Sequence, residues 1–174
     1  MDGDLSDLAT TSASSEYSEI RFKWLRGQAT VHRTEFLDWM IDGIPLRALF
    51  RGEDGELPGE VTTVQNAAVN REFGSHVLRV LAGEPLHAEC SARMPDGRIP
   101  LLLCRVCYDL NCPTLTADVH IEAETVQWRD IGWQVAYEPF DPTEQARPPA
   151  AFEFDRAHYE ALFADLLSTD AETS

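Results

Sequence analysis

Apolar and polar positions alternate along much of this chain, and the period of the alternation changes from segment to segment. Ile20, Phe22 and Trp24 alternate with Arg21, Lys23 and Leu25. After Gly27, Ala29 and Val31 alternate with Thr30 and His32, so the stretch reads as a β-hairpin. Phe36, Leu37, Met40 and Ile41 then fall at helical spacing behind Thr34, an N-cap candidate, with Asp42-Gly43 as the stop. The competing reading of this segment is an Asp-Gly turn joining two strands. Residues 52–60, GEDGELPGE, predict an exposed loop. From Asn66 to Leu81, Val69, Phe73, Val77 and Leu81 recur every fourth residue, with Gly83 and Pro85 just beyond, which predicts a helix.

The second half reads mostly as strand. SARMPDGR, 91–98, forms a turn before the apolar run Ile99 to Val106. Leu115, Ala117, Val119 and Ile121 alternate with Thr116, Asp118, His120 and Glu122, a strand with one wet face. Two more alternating runs follow, Val126 to Asp130 and Trp133 to Tyr137, and three consecutive strands predict an antiparallel meander. Four prolines make residues 139–150 irregular. Asp155 caps a last helix whose stripe is Tyr159, Leu162, Phe163 and Leu166.

The expected fold is therefore α+β: an antiparallel sheet with a C-terminal meander, covered by two main helices. Residues 1–18, rich in Ser, Thr, Asp and Ala, bring too little apolar surface to offset chain entropy and predict a disordered acidic tail. The domain is expected over 19–168, with 169–174 disordered at the C-terminus.

Composition narrows the function more than it defines it. With 174 residues, 44% apolar and 25% charged, the chain suits one globular domain. The longest apolar run, Ile99 to Cys104, cannot span a bilayer, and the first residues lack the basic and apolar parts of a secretory signal, so a cytoplasmic protein without membrane contact is expected. A formal charge of −16 opposes binding to nucleic acid, whose phosphates need Lys and Arg, and favours a basic protein partner.

The sharpest local feature is Cys104-Arg-Val-Cys107-Tyr-Asp-Leu-Asn-Cys112. Two thiolates two residues apart can grip one tetrahedral zinc, and a third can return to it, so Cys104, Cys107 and Cys112 are candidate ligands. Cys90, His87 and His120 are the candidates for a fourth. The competing readings are half-buried cysteines that merely flank a turn, and a redox C-x-x-C, which lacks the following helix that such chemistry uses. Trp128, Arg129, Asp130, Trp133 and Tyr137 make a candidate recognition surface, because Trp, Tyr and Arg dominate binding hot spots; core packing is the alternative use of the two tryptophans. Asp118, His120 and Glu122 share a strand face, where solvated strand residues are the ordinary reading. No H-E-x-x-H, G-x-S-x-G, P-loop or dinucleotide fingerprint occurs.

The cysteine run, followed by Leu115-Thr116 and by Val126-Gln-Trp128-Arg-Asp130-Ile-Gly132, resembles a family of small uncharacterised actinobacterial proteins. In that family a C-x-x-C-G-D-L-x-C-G stretch precedes a Trp-Arg/Ser-Asp-Phe-Gly element. The resemblance is carried by residues 99–137, with a looser echo from Phe152, and it implies no catalytic residue. Tyr108 and Pro113 stand where the family has glycine. The expected function is a small acidic cytosolic interaction or accessory protein, including an immunity-type factor; the alternatives are a zinc-binding protein with a structural or catalytic Cys site, and an enzyme with no recognisable motif.

Overall fold

The computed structural model describes residues 5–23, 26–52, 54–85, 92–147 and 150–172. Among these residues, two antiparallel sheets and three helices make a mixed α+β fold. In the first sheet, β1 (Leu8–Lys23) and β2 (Arg26–Ile41) form a hairpin of 16-residue strands, and β3 (Ile44–Pro45) pairs with the end of β2. The second sheet runs in the order β4 (Ile99–Leu102), β5 (Thr114–Ile121), β6 (Thr125–Gln134) and β7 (Ala150–Asp155), and its last three strands are the meander. The helices are α1 (Leu46–Leu49), α2 (Arg71–Leu81) and α3 (Arg156–Glu172). A parallel bridge from Ser6 to Phe154 joins the start of the hairpin to the outer strand of the second sheet.

The core lies between the sheets and the two longer helices. Trp39 of β2 stands edge-on to Trp128 of β6 at 5.7 Å and stacks on Phe163 of α3 at 5.5 Å. The buried Tyr159 hydroxyl accepts a hydrogen bond from Trp128 Nε1 at 3.1 Å and donates to the Leu81 carbonyl at 2.9 Å. One phenol thereby satisfies its own polar atom and ties the end of α2 to α3 and the sheet. Side-chain caps start both helices: Asn70 accepts from the Phe73 amide, and Asp155, the cap the sequence predicts, from the His158 amide. The first helical residue is Arg71, so Val69 packs from the preceding loop.

The structure corrects several expectations. Residues 8–18 are strand, because β2 supplies both the hydrogen-bonding partner and the apolar side chains that this Ser/Thr-rich segment lacks; Leu8 is in the core. Residues 34–41 are the second half of β2 and not a helix. Apolar residues occupy both strand faces there, which imitates a helical spacing. Asp42 and Gly43, at φ 52° and 77°, make the tight turn into β3. The run from Val126 to Asp130 and the start of the next, Trp133 and Gln134, belong to one strand, β6, whose register shifts where Asp130 takes φ 49°, while Val135 to Tyr137 lie beyond its end. The first half of β5, Thr114 to Ala117, is buried on both faces, so only its far end is wet. At the C-terminus, α3 continues through residues 169–172.

Candidate metal centre

Leaving β4, the chain bridges from Leu103 to Val61 and then turns through Cys104–Cys112 into β5. The turn is held by its own backbone: the Tyr108 amide donates to the Cys104 carbonyl at 3.0 Å and the Cys112 amide to the Asp109 carbonyl at 3.1 Å. Asp109 Oδ1 accepts from the amide and the side chain of Asn111 at 2.9 and 2.8 Å. Tyr108 adopts φ 54°, the left-handed conformation that glycine takes at least cost. Its hydroxyl lies 3.1 Å from Thr34 Oγ1, so the side chain pins the turn to β2. Arg105 adds a second tie to the hairpin, donating to Ser15 Oγ at 3.2 Å.

This turn brings the three sequence-predicted cysteines together: their Sγ atoms all lie within 4.8 Å of one another, and Cys107 and Cys112 are 3.1 Å apart. Around a tetrahedral zinc with Zn–S of about 2.3 Å, sulfurs stand about 3.8 Å apart, inside that range. The set can hold a metal ion. Burial raises the Cys104 thiol, but hydrogen bonds from the Cys107 and Val106 amides and from the neighbouring thiols outweigh it, and its pKa falls below the ordinary value. The Cys112 thiol is pushed up to about 12, first by its hydrogen bond with Cys107 and then by burial and the sulfur of Cys104. Sulfurs this close do not all ionise without a cation between them.

Among the described residues the group consists of these three cysteines. His120 is not in it; its Nε2 pairs with Asp118 Oδ2 at 2.7 Å on the wet end of β5. The other proposed fourth ligands, Cys90 and His87, lie outside the described residues. Glu122, the third member of the candidate strand-face site, pairs instead with Arg129 at 3.5 Å.

The candidate recognition surface divides. Trp128 is fully buried in the core and cannot touch a partner. Arg129 is exposed and bonded to Glu122 and Gln127, Trp133 is half-buried, and Tyr137 is 69% exposed. Asp130 serves through its backbone: its carbonyl accepts from the buried Arg98, which also bonds Thr116 and lies 3.7 Å beneath the Phe140 ring. Thr116 reaches Gln134 at 3.0 Å, and Gln134 donates to Asp96 at 2.6 Å. Before the start of β7, Gln145 takes the place of a neighbouring strand, accepting from the Trp133 amide at 2.8 Å and donating to its carbonyl at 3.0 Å. Beside it opens a cleft of about 500 Å³ walled by Phe50, Leu57, Trp133 and Phe152. Sequence reasoning missed this network because its partners are far apart in the chain and share no spacing.

No known family model, no curated protein and no solved structure matches this chain. Among the described residues, no helix is long and apolar enough to cross a membrane.

Proposed function

We propose that the protein is a zinc-binding domain in which Cys104, Cys107 and Cys112 hold the ion. The reading is carried by one observation, the convergence of three thiols within 4.8 Å on a turn whose backbone is separately fastened. Zinc favours thiolates, accepts a tetrahedral set, and leaves one position for a fourth ligand or for water. Such a site needs reduced sulfurs, which a cytoplasmic protein keeps. Protein purified without a histidine tag from zinc-supplemented cells should carry close to one zinc per chain. A chelator should remove it and lower the Tm by about 10 °C, because bound metal stabilises only the folded chain. Cys107→Ser should lose the zinc and reproduce that shift. Stable protein free of stoichiometric metal would end the reading.

A second reading, an acidic interaction or accessory domain, is supported by the outer half of the β1–β2 hairpin. Ile20 and Val31 there are 61% and 62% exposed, an arrangement suited to a partner surface. A partner captured by the intact chain should be lost with Val31→Asp. Association with a basic partner should slow as salt rises, because steering by the −16 charge is screened.

A further inference from the structure

The same three sulfurs also stand as an oxidisable set. Cys107 is exposed, and its Sγ lies 3.1 Å from that of Cys112, so about 1 Å of approach separates the thiol pair from a disulfide bond length. The approach needs little backbone change, because the four-residue segment between them already closes through the Cys112 amide and the Asp109 carbonyl. Cys104 is set back and half-buried, within 4.8 Å of both.

We infer that Cys107 and Cys112 are a peroxide-sensitive pair, whose oxidation to a disulfide releases the metal from the turn. Release rests on the zinc-binding reading; bridge formation does not. The chemistry balances with hydrogen peroxide as the named oxidant. The exposed Cys107 sulfur attacks one peroxide oxygen, the O–O bond breaks, and a sulfenic acid and one water result. The Cys112 sulfur then displaces the second oxygen as water, forming the S–S bond. Two thiols lose two electrons and two protons, and one peroxide becomes two waters. Disulfide sulfurs are no longer thiolate ligands, so Cys104 is left as the one thiolate of the set and tetrahedral binding is lost.

The turn is tied to the hairpin by Tyr108 at Thr34 and Arg105 at Ser15, which gives the oxidation a route outward. A change in the turn reaches β1 and β2 directly.

The test uses the full chain in two forms, zinc-loaded and chelator-treated, each exposed to stoichiometric hydrogen peroxide. Titratable thiols should fall from four to two, the intact mass should drop by two hydrogens, and peptide mapping should show Cys107 joined to Cys112. Dithiothreitol should restore all four. In the zinc-loaded form a metal-sensitive dye should report release in step with thiol loss. Cys112→Ser should abolish the Cys107–Cys112 link and leave Cys107 as sulfenic acid, trapped by dimedone, while Cys104→Ser should still form the link. A bridge in the chelated chain with no zinc ever bound would sink the metal reading and keep the disulfide pair. Zinc bound, but oxidation giving only sulfinic acid or a bridge through Cys90 or Cys104, would overturn the inference and leave the metal reading standing. Failure of the Cys104→Ser chain to form the link would overturn it equally.

Discussion

Single residues carry unusual strain or burial at two places, and each makes a measurable claim. Asp38 of β2 is 2% exposed and its Oδ1 meets no hydrogen-bond donor among the described residues. Burial raises its pKa to about 6, against the partial relief of the Arg47 charge and of the Trp39 and Arg47 amides. A carboxyl whose pKa is higher folded than unfolded binds more protons in the folded state between about pH 4 and about pH 6, so stability falls as pH rises through that window. From about pH 5 to about pH 7.5 this one group should remove roughly 1 kcal/mol. Urea unfolding at the two pH values should show that loss in the wild type and its disappearance in Asp38→Asn, whatever Asn costs by itself. The second place is Gly132, where an added Cβ would stand 2.6 Å from Gln145 Oε1 and 2.7 Å from Phe140 Cε2. Gly132→Ala should therefore cost about 1–3 kcal/mol, because it overpacks a closed site and pushes Gln145 off the Trp133 backbone. In a Gln145→Ala background the same substitution should cost distinctly less; equal costs in both backgrounds would show that Gln145 is not what the glycine makes room for.

At the scale of elements, the inner half of the long hairpin belongs to the core, and the described side chains further out do not. Leu8, Phe36, Trp39 and Ile41 are buried in the inner half, and Ser6 bridges to β7. In the outer half, Glu16 to Ile20 and Ala29 to Arg33 are exposed or half-exposed. Glu16 faces Arg33 in the ladder, so replacing residues 17–32 by Asn-Gly closes the hairpin with a two-residue turn. Thermal melts should then move by less than about 5 °C, since the inner half keeps its ladder and its core side chains Leu8, Phe36, Trp39 and Ile41. Deleting residues 1–18 should instead lower the Tm by more than about 10 °C or leave the protein insoluble, because it strips β2 of its partner. The contrast shows which elements were legible in the sequence. Helix α2, helix α3 with its Asp155 cap, strand β5 and the Asp42-Gly43 turn each carry a local signal that the fold retains. The first part of β1, residues 8–18, carries none: its Ser, Thr and Ala residues read as tail because their pairing comes from β2 further along the chain, whereas the alternation at the end of the strand, Ile20 to Lys23, reads as strand. The bulge at Asp130 was hidden for a related reason, since a shift of register looks in sequence like the end of one strand and the start of another. The cysteine set was legible because its members are close in the chain, whereas Tyr108 and Thr34 are 74 residues apart.

The whole molecule is dominated by its charge. Thirty acidic residues face fourteen basic ones, and the ion pairs Arg79–Glu84, Arg129–Glu122 and Arg156–Glu160 all lie on the surface. Surface pairs contribute about 0–1 kcal/mol each and weaken with salt, whereas self-repulsion of a net −16 charge opposes the compact state and is relieved by salt. The two effects have opposite signs, and the imbalance of charges decides between them: more than half of the carboxylates have no cation to pair with. Raising NaCl from about 10 mM to about 300 mM shortens the screening length from about 30 Å to below 10 Å, so repulsion across the molecule fades while contact pairs keep part of their strength. The Tm should therefore rise by a few degrees over that range, measured in one buffer at neutral pH. The hairpin variant sharpens the test, because replacing residues 17–32 removes Arg21, Lys23 and Arg26 but only one acid, Glu19, and takes the net charge from −16 to about −18. Its rise with salt should be at least as large as that of the intact chain. A Tm that falls with salt in both proteins would mean that the surface pairs outweigh the repulsion.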